Sequence, residues 1–174
     1  NGTQKRIDKV TYTDKLLVWN FFDGKYESVP ASIIFDHGYD SYTVVALNFA
    51  DGTTVKTING HGFFDKEENQ FVFIDEENVE EYIGHYFVKS EGNGYKNVKL
   101  VSYEIAEEYT GCYSIQSAMY NNFIVEGMFS LTVPPYEGWF DYFEIGENMK
   151  YNEEKMQADI QKYGVLCNIC GIYL

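Results

Sequence analysis

"TVKTINGHGFFD", Thr54 to Asp65, places a strand, a break and a histidine within twelve residues. The alternation in Thr54-Val55-Lys56-Thr57-Ile58 reads as a β-strand, and Asn59-Gly60 is a turn pair that ends it. His61 follows at once, with Phe63 and Phe64 behind it. An imidazole at that point has two explanations. Either proton chemistry needs a group that titrates near neutrality, or a turn beside two aromatic rings accepted one. The chain on both sides has to decide.

Outward from this stretch, short β-type runs recur with turn signals between them. "KLLVWNFF" and "YESV" flank Asp23-Gly24, the tight turn of a hairpin. "ASIIF", a turn at "DHGYDS" and "YTVVALNF" precede it. "QFVFI", "YKNVKLVSYEIAEEY", a turn at "TG", "CYSIQSA", the turn "MYNN" and "FIVEG" come after. The expected fold is mostly β.

One short helix is expected in "IDEENVEEYIG". Asp75 is its cap, Ile74 and Val79 form a hydrophobic staple, and Gly84 closes it. The composition changes at Pro134-Pro135. Beyond lies a second helix in "YNEEKMQADIQKYG", capped by Asn152, with Met156, Ile160 and Tyr163 in one stripe. The reading is a β domain over residues 1–133 and a small helical appendage over 134–174, which is too short to hold its own core and should pack on the first.

Twenty-seven acids against 13 bases give a net charge of −14, which repels phosphate backbones and anionic lipid heads and argues against nucleic-acid binding. The longest apolar run, Val44 to Leu47, is far short of the ~20 residues that cross a bilayer, so no membrane insertion is expected. Cys167 and Cys170 form a lone C-x-x-C without the further ligands that zinc requires. Cys112 reads as a buried thiol, and neither a metal nor a cofactor is expected. The many aromatics mostly fill core faces. Trp19 and Trp139 remain open as a sugar-stacking platform of a β-rich binding module.

Four segments in order carry a resemblance. "NGTQKRIDKVTYTDKLLVWN", "LNFADGTTVKTINGHGFF", "FVFIDEENVEEYIGHYFV" and "EYTGCYSIQSAMYNNFIVEGMFS" resemble the Hint family, the hedgehog and intein autoprocessing module, over residues 1 to about 132. The resemblance implies a Hint-like all-β fold and self-cleavage or acyl transfer. In that chemistry a Cys or Ser attacks its own preceding carbonyl, so the partner is the chain's own flanking polypeptide. It implies that His61 protonates the leaving amide nitrogen and that Thr57 holds the amide.

Departures from the family pattern accompany it. Thr57 lies four residues before His61 rather than three, with Ile58 in the expected place of Thr. Ser114 stands where Asp is usual and Asn121 where His is usual. "MFSLT" follows Gly127 where splicing would need His-Asn, so full splicing is not expected. The nucleophile is expected upstream of Asn1, "NGTQKRID" reading as the cut edge of something longer, the resemblance implies a secreted or cell-surface parent, and the fragment alone is expected to be inactive. His37, in the turn after Asp36, and His85, after Gly84, read as structural or exposed. A degenerate Hint scaffold and a β-rich binding module are the alternatives.

Overall fold

A computed structural model of the chain describes residues 3–58, 60–131 and 144–163. Among these, nine strands follow in order: β1 (Lys15–Asn20), β2 (Lys25–Phe49), β3 (Thr54–Ile58), β4 (His61–Asp65), β5 (Gln70–Ile74), β6 (Tyr86–Glu91), β7 (Gly94–Ser117), β8 (Asn122–Val125) and β9 (Met128–Leu131). One α-helix, α1 (Glu153–Tyr163), comes last. The strands form one curled antiparallel sheet in the order β1-β2-β7-β6-β4-β9-β8, with β3 on β2 and β5 on β4.

The tight turns fall where Gly and Asn place them. Between β1 and β2 the Gly24 N–H donates to Asn20 O at 2.8 Å, and the Asn20 side chain accepts the Phe22 N–H. Two expected turns are not turns. "ASIIF" and "YTVVALNF" belong to the single strand β2, and "TG" at Thr110-Gly111 lies inside β7. The two strands pair almost end to end. The extra residue His37 is absorbed as a β-bulge, after which Gly38 takes a φ of 81° and donates its N–H to Asp36 Oδ1. A local turn signal thus lost to a long ladder of hydrogen bonds.

The helix expected in "IDEENVEEYIG" is a single 3₁₀ turn, Val79–Tyr82. Asp75 Oδ1 accepts the N–H groups of Glu77 and Asn78, and Ile74 and Val79 are both buried in the same cluster. The staple pair shares one cluster, but these Asp75 bonds lie in the turn before the helix: its N-cap is Asn78, which makes no side-chain cap bond, and only one turn forms before Gly84.

The core lies on both faces of the centre of the sheet. Leu47, Phe63, Ile74, Phe87 and Leu100 fill one cluster, while Trp19, Phe64, Val88, Phe129 and Met149 fill another. Adjacent residues of β4, β6 and β9 therefore point into different clusters. That is why "GFF", "FV" and "MF" read as runs rather than as alternation. Trp19 is 2% exposed and its Nε1–H donates to Met149 O, so it belongs to the core and not to a sugar-stacking face.

The segment that follows the expected boundary at residue 133 is tied to the β layer. Asn69 Nδ2 donates to Ile145 O, and the Tyr151 N–H donates to Phe21 O. Asn152 caps α1 as its sequence implied, its Oδ1 accepting the Lys155 N–H. The boundary itself, Trp139, Cys167 and Cys170 lie outside the described residues.

Candidate functional site at the start of β4

His61 opens β4 directly after Gly60, whose φ of 66° sets it off from the strand conformation. It pairs with Ile74, and its ring stands edge-on to Phe63, with centroids 5.5 Å apart. The residue as a whole is half-buried, and desolvation of its imidazole pushes the pKa down to about 4. No charge opposes this shift. Among the described residues the ring has no hydrogen-bond partner. At neutral pH it is therefore an uncharged imidazole with unused nitrogens.

Its neighbours come from far along the chain. A Cβ added to Gly62 would lie 2.7 Å from Leu131 Cβ, so the end of β9 presses directly on the backbone beside His61. Ser130 faces Phe63 and donates its hydroxyl to Gly62 O at 3.3 Å. Asn122, opposite Leu131, accepts the Trp19 N–H through Oδ1 and donates to Trp19 O through Nδ2, fastening β8 to β1. Near the start of the described chain, Gln4 Nε2 reaches Glu126 Oε2 in the β8–β9 turn at 3.2 Å. Among the described residues, the start of the chain thus touches the closing hairpin.

Thr57 is buried in β3 opposite Val45. Its hydroxyl has no hydrogen bond among the described residues, and none joins it to His61. The other singled-out residues are elsewhere. Ser114 bonds His37 Nε2 at 2.8 Å on the β2–β7 ribbon, where His37 sits in the bulge rather than in a turn. Cys112, opposite Gly38, is half-buried rather than buried, and burial raises its thiol pKa. Asn121 lines a cavity of about 400 Å³ whose wall also includes Phe21, Phe64, Phe71 and Tyr151.

One pair escaped the sequence reading. Asp65, at the end of β4, is 0% exposed and meets His85 Nδ1 at 2.6 Å, and this bond raises the His85 pKa. The available signal was an acid closing a run that is buried on both faces, since such an acid requires a partner.

No family model and no curated protein matches the sequence. Among solved structures the chain is similar to the PabCDC21-1 intein, with a TM-score of 0.62, 16% identity, 76% of this chain and 92% of that one covered. It is also similar to a DnaB intein from Synechocystis sp. PCC 6803, with a TM-score of 0.60, 18% identity and coverage of 76% and 89%. A third is the DnaX mini intein from Spirulina platensis, with a TM-score of 0.56, 18% identity and coverage of 73% and 88%. At these identities the likeness is one of fold: mostly β, curled, and of the intein Hint type. No helix among the described residues is long and apolar enough to cross a membrane.

Proposed function

We propose that this chain is a Hint-type autoprocessing module, acting on its own flanking polypeptide by an N-to-S or N-to-O acyl shift. The observation that carries the reading is His61, a desolvated neutral imidazole with no hydrogen-bond partner among the described residues, placed where the end of β9 presses on Gly62. An imidazole held this way can accept the proton of an attacking thiol or hydroxyl. The proton then passes to the amide nitrogen as the C–N bond breaks and the thioester or ester forms. A folded pKa of about 4 makes the imidazolium a strong donor to that nitrogen. Thr57, with a buried hydroxyl that has no bond among the described residues, is the proposed holder of the amide. The nucleophile is assigned to sequence preceding Asn1.

The second reading, a Hint-shaped scaffold without cleavage, is favoured by the lack of any hydrogen bond between Thr57 and His61 and by the packing of His61 on Phe63. One experiment separates the two. The chain is produced with its native upstream sequence, incubated with and without added thiol, and followed by mass spectrometry. Cleavage is expected, and His61→Ala should slow it by about 100-fold or more, the usual contribution of a positioned proton donor. A chain that stays intact under thiol, or cleaves equally fast without His61, leaves the scaffold reading.

A further inference from the structure

β2 leaves a stretch of open edge. On the side that faces away from β7, β3 covers β2 over Val44–Asn48. Further back, the Tyr12 hydroxyl accepts the Ile34 N–H at 3.2 Å and donates to the Ile34 carbonyl at 3.4 Å. A residue of an antiparallel ladder whose N–H and C=O both turn from its partner points them to the opposite edge, so Tyr12 sits on the side that β3 covers. Between the two, residues 35–43 have no strand on that edge among the described residues.

The register puts Tyr113 and Asp36, Gly111 and Tyr39, and Tyr109 and Ser41 on one face of this ribbon. A Cβ on Gly111 would meet the rings of Tyr39 and Tyr113 at 3.2 Å, and the Tyr39 and Tyr109 rings are 6.1 Å apart. The three tyrosines thus form a row, with Tyr39 65% and Tyr109 75% exposed. Asp36 and Glu107 stand at its ends and make no ion pair among the described residues. Residues 32–43 and 104–116 contain no lysine or arginine, and Lys56, the cation that reaches the ribbon, pairs with Glu108 on the other face. A guanidinium of the chain itself approaches the row: the Arg6 pKa is raised chiefly by Asp8, and also by Tyr39 and Tyr113.

We propose that the open edge of β2 and its tyrosine row bind an extended polypeptide segment bearing arginine or lysine, added to the sheet in line with β3. The backbone of the incoming strand bonds to residues 35–43. Its alternate side chains fall on the tyrosine face, where a cation lies over an aromatic ring between two carboxylates. A second copy of this chain fits worse. It carries the same net charge of −14 and would set the same ribbon acids against each other. The bulge at His37 and the Tyr12 hydroxyl also blunt the edge against self-pairing.

The site is independent of the autoprocessing reading, and its test involves no cleavage. The full chain is titrated at physiological ionic strength with a fluorescein-labelled peptide of about nine residues, arginine alternating with valine, a length typical of one strand. Binding is followed by fluorescence anisotropy and by amide hydrogen exchange. The expected result is one saturable site with slowed exchange at residues 35–43. Tyr39→Ser with Tyr109→Ser should weaken binding by about tenfold, the loss of two cation–ring contacts, while the melting temperature holds because both rings are largely exposed. The same peptide with alternate amides N-methylated keeps its charge but cannot donate to the edge, and should bind more weakly by about tenfold or more. Absence of binding overturns the proposal, as does equal affinity of the double variant, of the N-methylated peptide or of a peptide with glutamate in place of arginine. So does protection of residues 35–43 without peptide in a chain that sediments as a dimer.

Discussion

At the scale of single residues, Gly62 and His61 make a coupled pair of expectations. The contact of Gly62 with Leu131 leaves no room for a methyl group, and both partners are backbone or Cβ atoms that a rotamer change cannot move. Gly62→Ala should therefore destabilise the protein by about 1–3 kcal/mol, the range for overpacking a core, as read from urea unfolding. His61 makes stability depend on acid. Its folded pKa of about 4 lies below its ordinary value of 6.5, so the neutral form is favoured by folding. This contribution is present above pH 6.5 and is lost as pH falls toward 4. The fall of about 2.5 units corresponds to roughly 3 kcal/mol at most. The pH-dependence of the urea midpoint should show that limb, and His61→Phe should flatten it. An unchanged slope between pH 7 and 4 would show that the ring is solvated in the folded state.

At the scale of elements, the β2–β7 ribbon is a long two-stranded ladder interrupted by a bulge. Gly38 has a φ of 81° with nothing within 4 Å of where a Cβ would stand, so the only obstacle to a side chain there is the backbone conformation. Gly38→Ala should cost about 1–2 kcal/mol without a clash. Because β2 has no buried residue between 32 and 43, and β7 opposite it only Ile115, the loss should be local. Amide exchange should quicken around His37 and Cys112 while the protection of β4 and β6 holds. Equal loss of protection everywhere would mean that the ribbon folds as one unit with the core.

At the scale of the whole molecule, residues 144–151 complete the β core rather than hang from it. Met149 is fully buried in the cluster around Trp19, and its carbonyl receives the indole N–H at 2.8 Å. Trp19→Phe keeps an aromatic ring but leaves that carbonyl without its donor, at a cost of about 1–3 kcal/mol for a buried unsatisfied group. Hydrogen exchange over residues 144–152 should rise more than over β6. If both rise together, the attachment is as strong as the core itself.

The sequence by itself determined the strands, most of their turns and the Asn152 cap, because side-chain alternation, Asn-Gly and Asp-Gly pairs and Asx side chains act over a few residues. Four ordered segments also carried the Hint resemblance, and His61 and Thr57 were named from them. Only the tertiary structure decided that "DHGYDS" is a bulge, since register along a ladder of more than a dozen pairs outweighs one local turn preference. Tertiary structure alone also buried Trp19, brought Leu131 against Gly62, and joined Asp65 to His85 across 20 residues. Each of these depends on which distant surfaces the sheet brings into contact as it curls, and a local pattern of side chains contains no term for that.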